Sequence, residues 1–179
     1  MEKIRLSKRM SELGLCSRRE ADSYIEKGWV EVDGEVVSEL GSKVYPDQQV
    51  TLRSPAQNTQ QQRVTILINK PVGYVSGQAE HNYKPAIALL DDKTRWAEDP
   101  SPLRFHRSQL LGLAPAGRLD IDSQGLLVLT QDGRIAKQLI GEDSSIDKGI
   151  GYIHTLCDDF KTSFFDNFFK LAELLFINI

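Results

Sequence analysis

Cysteine is scarce in this chain of 179 residues, because Cys16 and Cys157 are the only two and are too far apart for a disulfide framework. No cysteine and histidine residues share the spacing of a zinc site. No apolar run approaches the ~18 residues of a membrane span. The first twenty residues carry charges throughout, unlike a secretory signal. We therefore expect a cytoplasmic protein with no membrane or metal partner.

Positive charge is not in excess either. The formal net charge is -3, which excludes a protein coated with basic residues for nucleic-acid binding, so any contact with RNA or DNA must come from a local patch. Hydrophobic residues make up 40% of the chain, enough to bury a core. No glycine-rich phosphate loop or dinucleotide motif is present, and no cofactor is implied.

The first 53 residues have the pattern of a small α-α-β domain. Apolar residues at helical spacing over residues 6–13 predict a first helix. Ser17 and Glu20 have the spacing of a capping box at the start of a second helix. Asp33 and Gly34 lie between alternating valines, which is typical of a hairpin with a tight turn.

The two predicted helices carry a basic cluster of five residues: Arg5, Lys8, Arg9, Arg18 and Arg19. Arg18 and Arg19 lie in a first helical turn, where the helix dipole disfavours cations, so an anionic partner such as an RNA phosphate is indicated. A solvated basic face is the equally weighted alternative. Cys16 lies beside these arginines as either a reactive thiol or a buried small residue, and we favour the second.

A second unit follows an uncharged, glutamine-rich segment that is typical of a linker. Alternating apolar residues from Val64 predict a strand, LLVLT at 126–130 predicts a buried strand, and residues 135–140 predict a helix. The predicted organisation is a domain over 1–53, a linker over 54–63, a second unit over 64–148 and an atypical tail over 149–179.

Two carboxylates stand out in the sequence GRLDIDSQG. Asp120 and Asp122 resemble the start of a calcium loop, but its twelfth position is Gln131 rather than a bidentate glutamate, so calcium is a remote alternative. Asp122 fits a surface turn. Asp120 lies between two apolar residues, so we expect partial desolvation, with Arg118 as its ionic partner and a role as nucleophile or base.

The tail departs from the rest of the chain in composition. Residues 149–179 contain six of the seven phenylalanines and no arginine, valine, proline or glutamine. Phenylalanines at helical spacing, such as Phe164 and Phe168, fit an amphipathic helix. The other interpretation is translation out of the original frame, and we favour this second interpretation.

Two sequence stretches resemble a known family. RLSKRMSELGLCSRREADSYIEKGWVEVDGEVV resembles the αL RNA-binding motif of a small-subunit ribosomal protein and of many RNA-modifying enzymes. LINKPVGYVS together with GRLDIDSQGLLVLTQDG resembles the RsuA/RluF-type pseudouridine synthases. The resemblance covers roughly residues 3–148 in the family's order.

The resemblance implies an α+β protein: a small α-α-β RNA-binding domain followed by a partial mixed, mainly antiparallel, synthase sheet. It implies isomerisation of a uridine in RNA, with ribosomal RNA as partner, no cofactor, and a monomer. Asp120 is then the catalytic residue, and Arg118 pairs with it and holds the flipped nucleotide. The implied RNA-binding residues are Arg5, Lys8, Arg9, Ser17, Arg18, Arg19 and Lys70.

The chain departs from this family after Lys148. Gly149 and Ile150 occupy the place where the family continues with a Lys-x-Tyr strand, and Tyr152 lies two residues too far along. We therefore expect a truncated catalytic sheet with open strand edges, destabilised relative to a normally folded RNA-binding domain. Two functions stay open: a pseudouridine synthase, or a catalytically dead RNA-binding fragment of such an enzyme.

Overall fold

The computed structural model describes residues 2–97, 99, 101–142 and 144, together with the backbone of Leu174–Ile177. The chain divides into two compact units. The first contains Met1–Arg63 and Asp132–Lys137, and the second contains Val64–Gln131 and Gln138–Ile179. The predictions for Tyr152 and for a phenylalanine-rich helix lie outside the described residues.

The helical pair of the first unit is confirmed. Helix α1 (Leu6–Glu12) is followed by Gly14, whose φ of 70° allows the Leu15 amide to donate back to the Met10 carbonyl at 3.0 Å. Helix α2 (Arg18–Glu26) begins with the predicted capping box: the Ser17 hydroxyl accepts the Glu20 amide.

Small sheets complete this unit. Strands β2 (Val30–Val32), β3 (Glu35–Val37) and β5 (Val50–Leu52) form an antiparallel sheet in the order β3-β2-β5. Strand β1 (Ile4–Arg5) pairs with β4 (Lys43–Val44). The β2–β3 hairpin turns through Asp33 and Gly34 at positive φ of 51° and 85°, as a tight turn of the predicted kind requires. The apolar faces meet in one core around Leu6, Met10, Ile25 and Val30.

The segment predicted to be a linker contains a helix, α3 (Ser54–Gln61). Although the composition of this helix is polar, one of its faces is buried, because Ala56 and Gln60, one turn apart, are both buried. The Gln60 side-chain amide donates to the Tyr24 hydroxyl at 3.0 Å, which satisfies its buried donor. Glutamine is also a good helix former, so both helix propensity and this contact favour the helix.

Substituting proline for Asn58, an exposed residue inside α3, tests that helix. Proline removes the amide donor and clashes with the preceding turn, so we expect a loss of about 3 kcal/mol in the free energy of unfolding, measured in urea. Asn58→Ala is the control and should leave stability within about 0.5 kcal/mol. Equal stability of the two variants would mean that residues 54–61 are not helical in solution.

The second unit is built on two long central strands. Strand β6 (Thr65–Lys70) pairs antiparallel with β10 (Gly125–Thr130), with Ile68 opposite Leu127. Strand β9 (Ala114–Pro115) pairs with the other edge of β10, and the backbone of β11 (Leu174–Ile177) runs parallel to β6. The sheet order is β11-β6-β10-β9, which is mixed and mainly antiparallel as predicted. Strand β6 therefore lies inside an open sheet, whose two edges are β11 and the two-residue β9.

The connection between the two central strands is mostly irregular. Strands β7 (Tyr74–Val75) and β8 (Lys84–Pro85) pair in parallel, and three short 3₁₀ turns follow. The apolar side chains of β6 and β10 pack against these turns, around Ile66, Ile68 and Leu129. The connection thus covers one face of the sheet.

Helix α4 (Gly133–Ile140) begins beside a buried carboxylate. The Asp132 carboxylate accepts a hydrogen bond from the Arg134 amide at 2.9 Å. It accepts a second from the Arg134 guanidinium, with 2.6 Å between Oδ2 and Nη2. Burial alone raises the pKa of Asp132, but these hydrogen bonds and the Arg134 charge outweigh burial and lower the pKa. No helix in the described part of the chain combines the length and apolar character of a membrane span.

The lowered pKa of Asp132 predicts a pH-dependent stability. The folded protein prefers the charged carboxylate, so this contribution is complete above the unfolded pKa of about 3.9 and is lost as pH falls through the folded pKa. We expect Asp132→Asn to cost about 1–3 kcal/mol at pH 7. Urea unfolding should show the difference between wild type and variant narrowing below about pH 4. A stability difference between wild type and Asp132→Asn that stays the same at low pH would contradict this account.

Candidate active site and RNA-binding surface

Four of the predicted RNA-binding residues are exposed on the first unit: Arg5, Lys8, Arg18 and Arg19. Lys8 lies 3.7 Å from Glu12 along α1, an exposed ion pair that holds it weakly. Arg18 and Arg19 lie in the first turn of α2 with their side chains in solvent. These guanidinium groups are available to phosphate oxygens, which they match in geometry.

Arg9 and Ser17 have partners inside the first unit. The Arg9 guanidinium donates to the Pro46 carbonyl at 2.6 Å and lies 4.0 Å from Glu12. The Ser17 hydroxyl caps α2, while its amide donates to the Glu20 carboxylate at 2.6 Å. Both residues thus stabilise the helical pair, and their contact with RNA stays a prediction.

Cys16 is a buried small residue, as we expect from the sequence. Its side chain is 1% exposed, and burial raises the pKa of its thiol to about 11 although the Arg63 and Arg134 charges oppose that shift. The thiol therefore stays protonated near neutral pH and is a packing group rather than a nucleophile.

Asp120 lies on a segment whose backbone is fastened on both sides of it. The Ser76 hydroxyl accepts the Leu119 amide at 2.8 Å and donates to the Leu119 carbonyl at 2.7 Å. The Gly73 amide donates to the Ile121 carbonyl at 2.7 Å. The Asp120 carbonyl itself accepts the Ser123 amide at 3.1 Å. The β6–β7 turn and Ser76 thus hold the backbone of residues 119–121.

The expected desolvation of Asp120 is not observed. Leu119 is half-buried against the core of the unit, but the Asp120 side chain is exposed because it points away from that core. Arg118 is exposed too, and no ion pair joins it to Asp120 among the described residues. The site therefore presents a solvated carboxylate, with a guanidinium two residues earlier in the chain.

Lys70 has a different position from the one predicted for an RNA contact. Its side chain is 0% exposed, and Nζ donates to the carbonyls of Pro71 and Tyr74 at 2.9 and 3.0 Å. Burial lowers the pKa of this lysine, while the charges of Asp122 and Asp120 act to raise it. The ammonium is thus a buried cation that closes the same turn that carries Gly73, and a contact between Lys70 and RNA stays a prediction.

An open depression of about 390 Å³ lies in the second unit beside Arg118. Its lining is mostly apolar, and six residues contribute to it: Gly77, Gln78, Pro115, Gly117, Arg118 and Ile140. Gly117 has a φ of 114°, which only glycine adopts without strain.

The calcium alternative is not supported. Six of the twelve residues of that loop, Gly125–Thr130, form β10 and cannot wrap around a cation. No three histidine, cysteine, aspartate or glutamate side chains converge to hold a metal within the described ranges.

Ser76 and Gly73 were not predicted from the sequence as partners of the Asp120 segment. Both lie in the quoted motif LINKPVGYVS, but the residues they bond are more than forty positions away along the chain. No spacing rule links a serine to a backbone at that distance. A glycine directly after Pro71 and Val72 does indicate a turn, and that was the available signal.

Comparison with known proteins agrees with the two units. Residues 4–50 match the S4 domain, and residues 64–149 match the RNA pseudouridylate synthase family. An uncharacterized RNA pseudouridine synthase of Mycobacterium tuberculosis (strain H37Rv) is 36% identical over 147 residues, covering 81% of this chain and 53% of the relative.

Two relatives carry more specific names. The ribosomal large subunit pseudouridine synthase B of Bacillus subtilis (strain 168) is 35% identical, covering 80% of this chain and 52% of that protein. The dual-specificity RNA pseudouridine synthase RluF of Escherichia coli (strain K12) is 33% identical, with coverages of 76% and 42%. A crystal structure of a pseudouridylate synthase superposes on 75% of this chain and 51% of its own, with a TM-score of 0.35 and 22% identity, which is too low to carry an argument.

The chain spans about half the length of the curated relatives it matches. Both of its units nevertheless match in the order that the sequence predicts. The chain thus carries an S4 domain over residues 4–50, followed by a segment of the RNA pseudouridylate synthase family over residues 64–149.

Proposed function

We propose that this chain isomerises a uridine to pseudouridine in structured RNA, with Asp120 as the catalytic residue. The observation that carries the proposal is the geometry of Asp120: an exposed carboxylate on a backbone fastened at both neighbouring residues. A group that must reach a substrate needs such a fixed and accessible position. The carboxylate also lies within the residues that match the synthase family.

The reaction needs no oxidant or reductant. The bond from ribose C1′ to uracil N1 breaks, the base turns, and a new bond forms from C1′ to C5. The proton on C5 leaves and N1 gains a proton, so atoms and electrons balance. Asp120 can serve by attacking the sugar or the base, and as a base for the C5 proton. Its exposed position is open to each route.

We further propose that the target nucleotide is flipped out of its helix towards Arg118 and the depression beside it. The glycosidic bond inside a duplex is out of reach of a side chain, so extrusion must precede chemistry. Arg118 borders an apolar surface and carries an exposed positive charge, which suits a base face and a neighbouring phosphate.

The first unit supplies affinity in this proposal. The exposed Arg5, Lys8, Arg18 and Arg19 contact phosphates, which give binding without reading the sequence. We propose ribosomal RNA as the substrate, because one relative is named a ribosomal large subunit synthase. A cytoplasmic, monomeric protein remains our expectation from the sequence.

A second function has an observation in its favour. The chain covers only about half of its relatives, so it can bind RNA through the S4 domain without completing a catalytic centre. In that case the exposed basic residues keep their role and Asp120 has none.

Chemical mapping of the product tests the proposal. Unmodified transcripts of ribosomal RNA are incubated with the full chain, then treated with a carbodiimide that stays attached to pseudouridine and stops reverse transcriptase. We expect a new stop at one or a few uridines. Transcripts that bind the chain and show no new stop would overturn the enzymatic proposal and favour the RNA-binding module.

A further inference from the structure

We propose that Ser76 is a positioning residue that sets the location of the Asp120 carboxylate. This inference rests on the proposed function, since it names the group that holds the catalytic residue in place. Nothing in the family resemblance assigns a role to this serine.

The geometry around Ser76 is unusual for a serine because one hydroxyl satisfies both polar groups of a single backbone residue. Its Oγ accepts the Leu119 amide at 2.8 Å and donates to the Leu119 carbonyl at 2.7 Å. Ser76 is only 6% exposed, so water does not readily replace these bonds. Leu119 is thereby fixed in position relative to β7.

A second fastening lies on the other side of Asp120. The Gly73 amide donates to the Ile121 carbonyl at 2.7 Å, and Gly73 has a φ of 85° that favours glycine. The turn that carries this amide is closed by Lys70, whose ammonium donates to carbonyls at both of its ends. The backbone on each side of Asp120 is therefore held by the segment 70–76.

This arrangement positions the carboxylate without neutralising it. An ion pair would also fix Asp120, but it would occupy the oxygens that the reaction needs. Fastening through the neighbouring backbone leaves the side chain exposed and free of ion pairs among the described residues. Ser76 thus contributes to catalysis through the location of Asp120 and does not touch the substrate.

Three variants of the full chain separate positioning from folding. Ser76→Ala removes both hydrogen bonds to Leu119, and Ser76→Thr keeps the hydroxyl. Thr65→Val is the matched control, because it removes a buried hydroxyl that bonds Thr130 at 2.8 Å at the opposite end of β6 and β10. All three are compared with wild type by amide hydrogen exchange and by tritium release from RNA labelled at C5 of uridine.

We expect Ser76→Ala to speed exchange of the Leu119 amide by about tenfold or more, since that amide loses its acceptor. We expect its kcat to fall about 10- to 100-fold with KM unchanged within about twofold. Ser76→Thr should recover most of both losses. Thr65→Val should change neither the Leu119 exchange nor kcat.

Unchanged exchange of the Leu119 amide in Ser76→Ala overturns the inference, and so does lost protection there with an unchanged kcat. An equal loss of kcat in Thr65→Val also overturns it, because the effect is then one of general stability. Absence of tritium release from wild type itself refutes the proposed function instead. The exchange experiment then still decides whether Ser76 holds Leu119.

Discussion

Replacement of Asp120 by asparagine is expected to lower tritium release from C5-labelled RNA by about 10²- to 10⁴-fold, the range for a lost acid, base or nucleophile. Asparagine keeps the size of the side chain and loses the charge. The hydrogen bonds of the Leu119 and Ile121 backbone do not involve that side chain, so the fold should be retained. RNA retention on a filter should equal that of wild type.

Asp122→Asn is the matched control for that variant. Asp122 lies two residues further along the same segment, is also exposed, and also acts on the charge of the buried Lys70. It is expected to keep activity within about tenfold of wild type. Equal losses in the two variants would mean that the negative charge of the segment matters and that Asp120 has no individual role.

The second large effect is expected at the start of α2. Substituting alanine for both Arg18 and Arg19 removes two exposed guanidinium groups from the first helical turn. We expect RNA affinity to fall on the order of tenfold or more. The slope of log affinity against log salt should become shallower by about 1 for each phosphate that the variant no longer neutralises. Filter binding at several salt concentrations measures both.

The opposite end of α2 provides the control for charge. The double variant Lys27→Ala and Arg53→Ala also removes two positive charges from the first unit, near the Gly28 carbonyl to which Arg53 donates at 3.1 Å. Its salt slope should stay close to that of wild type. If its salt slope becomes as shallow as that of the Arg18 and Arg19 variant, RNA binding depends on the total charge of the unit and not on a defined RNA-binding face.

Features that depend on neighbouring residues were predictable from the sequence. The Ser17 and Glu20 capping box and the turn at Asp33 and Gly34 are both present, because each has a sequence pattern that spans four residues or fewer. Strands β6 and β10 were also predictable one by one from their apolar runs. Their register, with Ile68 opposite Leu127, was not, because nothing in either run encodes the partner.

Two features that the sequence does not predict have a common physical origin in tertiary packing. Helix α3 has the composition of a linker because its residues are polar, but burial of Ala56 and a hydrogen bond from Gln60 order it. Lys70 has the sequence position of a surface cation, but it ends a strand whose residues are almost all buried, and its ammonium turns back to nearby carbonyls. Charge and polarity alone do not reveal such partners.

The sequence singles out Asp120, the central residue of the candidate site. It does not reveal which groups hold the backbone around Asp120. Asp120 and Arg118 follow from one motif, whereas the fastening by Ser76 and Gly73 joins segments that are far apart in the chain. The expected ion pair between Arg118 and Asp120 follows from sequence spacing only. In the fold both side chains are exposed and separate.

The most direct test of the central claim is tritium release by the wild-type chain itself, read alongside RNA retention by the same preparation. The substrate is an unmodified ribosomal RNA transcript labelled at C5 of uridine. The account predicts that release rises to a plateau set by the number of target uridines in the transcript. Retention of the RNA with no release of tritium would contradict it, and the chain would then be an RNA-binding module without synthase activity.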